Sequence, residues 1–266
     1  MKVQVLVAAM HQNDASLLEK MNIQSDAIVG NQCDRNSVEE FEWNGHNIRY
    51  LNFAERGVGL NRNNALMRAD GDICLFADDD MRYCDGYVSV VTKAFAEHPD
   101  ADVLIFNLIE KEQTRKIIGK TERVRWYNFL RYGTARVAVR NAAIQRNGIY
   151  FNQCFGGGTP HCHGEDNLFL AACLQKGLKM YAVPAYIAEL TEERPSSWNN
   201  GYDEKYVHDQ GVLYRVMSPK WWKWLCLQDA VRHYRQYMDH RFWSVYQTMI
   251  RGGRLCTAKP DASAQQ

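Results

Sequence analysis

Short apolar segments alternate with helix-length segments through the first two thirds of the chain. This pattern is typical of a mostly parallel β-sheet with helices packed on its faces. The segments that read as strands are 3–8, 27–30, 48–51, 73–77, 103–108, 135–139 and 180–183. Pro184 is expected to end the last of them. We therefore predict an α/β fold with a Rossmann-like, mostly parallel sheet flanked by helices.

The C-terminal part of the chain has a different periodicity. From Pro219 onward, apolar residues recur every three or four positions, which predicts an amphipathic helix or helix pair. These residues are Trp224, Leu227, Val231, Tyr234, Met238, Phe242, Val245 and Met249, with Arg232, Arg235 and Arg241 between them. We expect a main domain over 1–215 with halves 1–110 and 111–215, a helical extension over 216–254, and a disordered tail over 255–266.

Charge and composition exclude several classes of protein. The formal net charge of +1 provides no general attraction to nucleic acid. Residues 215–254 are an exception, with eight Lys or Arg against two acids. No apolar run approaches the ~18 residues of a spanning helix. The eight cysteines form no Cys-x-x-Cys pair, and several lie inside apolar runs. A soluble, cytoplasmic protein with reduced thiols is expected.

Three consecutive carboxylates follow an apolar strand. Ile73-Cys74-Leu75-Phe76-Ala77 leads directly into Asp78, Asp79 and Asp80. The carboxyl ends of strands face the ligand-binding crevice of open α/β sheets. Adjacent acids repel one another unless a cation joins them, and hard oxygen ligands suit Mg²⁺ or Mn²⁺. A metal site is favoured over the alternative, a solvated acidic turn.

A second acidic pair follows a glycine-rich loop. Glu165 and Asp166 stand at the start of a helix that is predicted over 168–175. Acids at a helix N-terminus are stabilised by backbone N–H groups and by the helix dipole, so capping alone would explain them. The functional interpretation makes Asp166 a general base that takes a proton from a hydroxyl group. The motif by itself leaves both interpretations open.

In a third segment, Glu55 to Leu66, glycines precede a polar helix. Glycine permits close approach of the backbone, and a helix N-terminus favours anions. Arg56 and Arg62 could therefore bind a diphosphate. The alternative is an ordinary surface helix, and the incomplete Gly-x-Gly pattern is weak evidence for a dinucleotide fingerprint.

In this order and spacing, the three segments resemble the family 2 glycosyltransferases of the GT-A fold. Asn61-Arg62-Asn63 is similar to a family segment that commonly reads Ala-Arg-Asn, and it precedes the acidic strand as in the family. The Asp-Asp-Asp and Glu-Asp motifs carry the rest of the resemblance, which covers about residues 1–190. It implies a GT-A catalytic domain with a nucleotide-binding first half, an acceptor-binding second half and a C-terminal helical appendage.

The resemblance implies specific roles for the acids. Asp80 would contact Mn²⁺ or Mg²⁺, Asp78 would lie near the nucleotide ribose or the metal waters, and Asp79 would share either role. Asp166 would be the catalytic base of an inverting transfer, and Glu165 would bind or orient the acceptor. His208 resembles a late histidine that serves as a further metal ligand in some GT-A enzymes, the alternative being a packed or surface histidine.

The sequence departs from the family at the end of its second strand. Acidic residues usually hold the nucleobase or ribose there, whereas this chain has Asn31 and Asp34. Both can still form hydrogen bonds with a base. The resemblance implies a nucleotide-sugar donor, most commonly a UDP-sugar.

The resemblance also implies an acceptor and a context. The acceptor would be a saccharide or a lipid-linked saccharide in the biosynthesis of a bacterial surface polysaccharide. Independently of the resemblance, the aromatic and basic residues of segment 219–250 suit peripheral contact with the inner face of the cytoplasmic membrane, or packing against the catalytic domain or a second subunit. Two alternative functions are a noncatalytic module that binds sugar nucleotides or glycans, and a nucleotidyltransferase.

Overall fold

A computed structural model describes residues 1–111, 115–191, 201–237 and 241–255. The chain forms two compact units. The sheet unit contains Met1–Cys154 and the chain from Glu165 to the end of the last strand. The helical unit contains Phe155–Gly164 and the described residues from Gly201 onward. The domain boundaries predicted at 110, 215 and 254 stay predictions, and the tail beyond 255 lies outside the described residues.

The sheet unit is an α/β structure, as predicted. Its strands are β1 (Val3–Met10), β2 (Asp26–Gln32), β3 (Ser37–Trp43), β4 (His46–Phe53), β5 (Ile73–Asp78), β6 (Met81–Tyr83), β7 (Val103–Ile109), β8 (Glu122–Arg123), β9 (Val137–Arg140) and β10 (Met180–Leu190). Its helices are α1 (Ser16–Lys20), α2 (Val58–Leu66), α3 (Tyr87–Glu97), α4 (Asn141–Asn147) and α5 (Glu165–Gln175). The strands form one sheet in the order β3-β4-β2-β1-β5-β9-β7-β10-β6, and β8 pairs with β10.

Three parallel strands place the polar residues of the site. β1 pairs in parallel with β2 on one side and with β5 on the other, so that Ala8 lies opposite both Gly30 and Asp78. These strands are buried along almost their whole length because helices cover both faces. Their carboxyl ends therefore meet at one edge of the sheet, where the acidic triplet begins.

The sheet differs from the sequence prediction in several details, and the short strands β6 and β8 were not predicted. The hairpin strand β3 was missed, although Asn44-Gly45 marks its turn with φ angles of 50° and 80°, the left-handed conformation of a tight hairpin. The predicted stop at Pro184 was wrong, since β10 continues to Leu190. Register shifts between Ala182 and Tyr186 accommodate the proline, which lacks a backbone donor for the ladder.

The helical unit contains α6 (Glu204–Met217), α7 (Trp222–His233) and α8 (Phe242–Leu255). Glycines allow α6 and α8 to pack closely. A Cβ atom on Gly211 would lie 1.8 Å from the carbonyl oxygen of Met249, and one on Gly252 would lie 2.1 Å from that of His208. The two backbones are thus in direct contact at this crossing. No helix of the described segments is long and apolar enough to cross a membrane.

The apolar stripe predicted after Pro219 is only partly correct. Val245 and Met249 of α8 are buried as predicted, but Trp224 and Val231 of α7 are 61% and 58% exposed. The buried face of α7 consists instead of Trp222, Cys226, Asp229 and Ala230. Asp229 is buried because it accepts hydrogen bonds from Tyr237 and His233, which spacing alone does not reveal. Met238 lies outside the described residues.

Candidate active site

One buried guanidinium joins the two acidic motifs. Arg62, on α2, is 4% exposed. Its Nη2 donates to Asp78 Oδ1 at the end of β5, at 2.7 Å. Its Nη1 donates to Asp166 Oδ1 at 2.9 Å and to Glu165 Oε1 at 3.3 Å, both in the first turn of α5. Three elements that are distant in sequence therefore converge on Arg62.

Close packing of α2 positions this arginine. A Cβ on Gly30 of β2 would lie 2.5 Å from Oδ1 of Asn61, so a larger residue would displace the helix. Asn63 donates to the carbonyl of Phe151 at 2.9 Å and accepts from its N–H at 2.8 Å. The Asn-Arg-Asn segment is buried, and the two hydrogen bonds of Asn63 fix the helix that carries Arg62.

Asp166 has a further partner that the sequence did not indicate. The backbone N–H of Thr134 donates to Asp166 Oδ2 at 2.9 Å, and the Thr134 hydroxyl donates to Oδ1. A Cβ on Gly133 would lie 3.2 Å from Oδ2, so a small residue suits this approach. Thr134 is fully buried in a short 3₁₀ helix before β9. No local motif distinguishes it, because its role depends on a residue 32 positions away.

Asp79 and Asp80 face a different part of the site. Asp79 Oδ2 accepts from the backbone N–H of Met10 at 3.3 Å, at the end of β1. Thr191 donates its N–H to the carbonyl of Asp80 at 2.8 Å. A pocket of about 170 Å³ adjoins both acids and is lined by Gln12, Ser16, Leu17, Lys20, Asp79, Asp80 and Thr191. Within the triplet, Asp78 therefore pairs with Arg62, whereas Asp79 and Asp80 line this pocket.

Two carboxyl groups of the site have raised pKa values. Burial, followed by repulsion from Asp78 and Asp79, raises the pKa of Asp80. Burial and the charge of Asp166 raise the pKa of Glu165 to about 7, although Arg62 opposes the shift. Both groups therefore lie in an environment that disfavours an additional negative charge, and a nearby cation would relieve it.

The donor chemistry of the triplet fits a divalent cation bound together with a substrate. Mg²⁺ and Mn²⁺ accept carboxylate oxygens, and Mg²⁺ is commonly held by one or two carboxylates plus phosphate oxygens and water. Within the four described ranges, no group of three His, Cys, Asp or Glu side chains forms a ready-made metal site. Asp80, with Asp78, would therefore supply only part of a coordination sphere.

The residues predicted to hold the nucleotide occupy contrasting positions. Asn31 is completely buried. Its amide accepts from the N–H of Gln12 at 2.9 Å and donates to the Gln12 carbonyl at 2.8 Å and to Asn52 Oδ1 at 2.7 Å. Asn31 therefore orders the loop after β1. Asp34 is exposed just beyond β2, and exposed Arg56 donates to the carbonyl of Cys33 at 2.9 Å.

His208 belongs to the helical unit, on α6. Its Nδ1 lies 3.4 Å from Oδ1 of the buried Asp209. The same carboxylate accepts from Lys205 Nζ at 2.6 Å and from the N–H of Cys162 at 3.0 Å. A role for His208 as a metal ligand stays a prediction.

A family model matches part of the sequence. Residues 31–151 match the family model described as glycosyl transferase family 2. The resemblance to family 2 glycosyltransferases is thereby confirmed. The matched segment contains Arg62 and the acidic triplet, whereas Glu165 and Asp166 lie beyond it. None of the curated proteins is significantly similar to this chain in sequence.

Solved structures share the fold at low sequence identity. Staphylococcus aureus TarS 1–349 in complex with UDP-GlcNAc has a TM-score of 0.64 and 18% identity, over 90% of this chain and 74% of that chain. TarS 1–349 in complex with UDP has a TM-score of 0.62 and 17% identity, over 92% and 75%. Another TarS structure has a TM-score of 0.62 and 17% identity, and this chain covers 45% of it. These matches confirm the predicted GT-A fold.

Proposed function

We propose that this chain transfers a sugar from a nucleotide-diphosphate sugar to an acceptor hydroxyl, with inversion at the anomeric carbon. The observation that carries the proposal is the convergence of Asp78, Glu165 and Asp166 on one buried arginine. Arg62 thereby connects Asp78, which is proposed to act on the sugar donor, with Glu165 and Asp166, which are proposed to act on the acceptor. The family match over 31–151 supports the same class of reaction.

Asp166 is the proposed base. It takes the proton of the acceptor hydroxyl while the acceptor oxygen forms a bond with the anomeric carbon. The bond from that carbon to the diphosphate breaks, and its electron pair leaves on the nucleoside diphosphate. Thr134 and Arg62 hold the Asp166 carboxylate in one orientation, which suits a group that must meet a hydroxyl in a defined geometry. Glu165 binds or orients the acceptor.

Asp80 and Asp78 are the proposed ligands of Mn²⁺ or Mg²⁺. Such an ion, when bound, offsets the negative charge that develops on the diphosphate. Arg62 was predicted to help in this task. Because three carboxylates already surround it, its geometry supports a positioning role better than contact with a phosphate.

The donor is proposed to be a UDP-sugar, because TarS, which shares the fold, has been solved with UDP-GlcNAc and with UDP. Gln12, held by Asn31, lines the pocket beside Asp79 and Asp80. With Asp34 and Arg56 it makes up the proposed nucleotide side of the site, and His208 remains a candidate additional metal ligand. The proposed acceptor is a saccharide or a lipid-linked saccharide.

The first test is a thermal-shift comparison of UDP, GDP, CDP and dTDP sugars, each with and without Mn²⁺. A ligand that binds only the folded state raises its melting temperature. We expect a rise that requires both a uridine nucleotide and the metal. If another nucleotide raises the melting temperature instead, that nucleotide replaces UDP in the proposed donor. If none of them raises it, the proposal is contradicted.

The second test compares the rate of sugar transfer by the wild type and by Asp166→Asn. The variant keeps the size of the side chain and removes the base, so it should still bind the donor with metal but show at least a 100-fold slower transfer. Transfer at the wild-type rate in Asp166→Asn, or in excess EDTA, would contradict this mechanism. Metal-dependent binding without transfer to any acceptor would favour the noncatalytic module, and transfer of a nucleotidyl group would favour the nucleotidyltransferase.

A further inference from the structure

Helix α7 presents aromatic and aliphatic side chains to solvent. Trp221, Trp224 and Val231 are 59%, 61% and 58% exposed. At 100° per residue they fall on one side of the helix, opposite the face that packs into the helical unit. We call these three residues the tryptophan face. Large apolar groups that are adjacent and exposed mark an interaction surface, whereas isolated ones do not.

Within residues 216–237 of the described chain, the exposed charges near the tryptophan face are positive. Lys220, Lys223, Arg232 and Arg235 are exposed beside it. Asp229 is the one acid of residues 216–237, and it is buried, where it accepts from the hydroxyl of Tyr237 at 2.9 Å. Lys220 Nζ lies 5.3 Å from the ring centre of Trp221, so ring and charge are presented together. The exposed side of α7 therefore combines apolar rings with neighbouring basic side chains.

We propose that the tryptophan face is a docking surface for an anionic lipid bilayer. Tryptophan favours the boundary between acyl chains and headgroups, where its ring is buried and its N–H stays hydrated. Flanking lysines and arginines extend their ammonium and guanidinium groups to lipid phosphates. A protein partner that covered the rings would have to desolvate or pair Lys220 and Lys223 beside them, while an anionic bilayer neutralises such charges without a matched set of acids.

The geometry of the helix sets the mode of attachment. α7 has 12 residues, which is too short to span the hydrocarbon core, so it lies in the plane of the interface. The buried face of α7 keeps its contacts with the helical unit. Attachment is therefore peripheral, reversible and dependent on salt and on the fraction of anionic lipid.

Flotation of the full chain with vesicles tests the proposal. We expect binding to vesicles of phosphatidylcholine with phosphatidylglycerol at low salt, little binding to phosphatidylcholine alone, and release at high salt. The pair Lys220→Gln and Lys223→Gln should weaken the partition coefficient by roughly 25-fold, about fivefold for each charge. The pair Trp221→Ser and Trp224→Ser should weaken it by about tenfold or more.

Matched controls separate this surface from general effects. Trp126→Ser removes a tryptophan of the sheet unit that is 51% exposed, and Lys176→Gln removes an exposed lysine of the sheet unit. Neither should change flotation, and all variants should melt like the wild type. Absence of flotation by the wild type, equal binding to both vesicle types, or unchanged binding by the tryptophan pair would overturn the proposal. A dimer in light scattering that the Trp224→Ser change dissociates would assign the face to self-association instead.

Discussion

Arg62 and Asp166 are 104 positions apart in the chain, and their side chains meet at 2.9 Å. Because the same guanidinium also meets Asp78 and Glu165, the proposed base, its neighbour and the end of β5 form one charge network. Such a network couples the position of each acid to the others, so that loss of the shared cation affects all three.

Replacement of the shared cation should destabilise the fold. Arg62→Met leaves three partly buried carboxylates without their counter-charge, and we expect a loss of about 3–5 kcal/mol in the free energy of unfolding. Chemical denaturation measures it. Arg62→Lys keeps the charge but loses the planar guanidinium. Its free energy of unfolding should lie between those of the wild type and Arg62→Met. Arg68→Met alters an exposed arginine beyond the same helix and serves as the control. Wild-type stability in Arg62→Met would show that the network contributes nothing.

Thr134 should affect the rate of transfer more than stability. Thr134→Val keeps the backbone donor to Asp166 and removes the hydroxyl donor. A hydrogen bond to a charged group contributes about 1.5–3 kcal/mol, so kcat should fall about 10- to 100-fold with little change in KM for the donor. Thr134→Ser should restore most of the rate. The positioning role is refuted if Thr134→Val and wild type have the same kcat.

Glu165 should give stability an unusual pH dependence. Its pKa is raised from 4.5 to about 7, so between these values the folded state binds more protons at this group than the unfolded state. The contribution of Glu165 to stability therefore falls as pH rises from 4.5 to 7, by about 3 kcal/mol in total. Denaturation of metal-free wild type and Glu165→Gln at pH 5 and pH 8 isolates this effect. Identical pH dependence in the two proteins would refute it.

An alanine in place of Gly211, where α6 and α8 cross, should destabilise the helical unit. Gly→Ala in an open helix stabilises by about 1 kcal/mol. At Gly211 the added carbon would meet the Met249 carbonyl at 1.8 Å, so the helices must separate, and we expect a loss of about 1–3 kcal/mol. Faster amide exchange over 204–217 would report this loss. Gly119→Ala is the control, because nothing lies within 4 Å of its added carbon. Stabilisation by Gly211→Ala would contradict the close crossing.

Several elements followed from the sequence because their signals are local. An apolar strand that ends in Asp78 and an acidic pair at a helix start are patterns over a few residues, and the family resemblance rests on their order. β5 and α5 were therefore predicted near their observed bounds. The Asn44-Gly45 turn was equally local, and β3 was missed because its exposed, charged strand lacks an apolar run.

Tertiary structure decided how those elements are used. Helical spacing placed Trp224 and Val231 on an apolar stripe of α7, but only packing determines which side of a helix is buried, and here it is the side of Trp222 and Cys226. The sequence by itself determined most of the buried strands, the acidic end of β5 and the family resemblance. The partners of Arg62, the role of Thr134 and the exposed face of α7 depend on contacts between distant segments, which local periodicity does not encode.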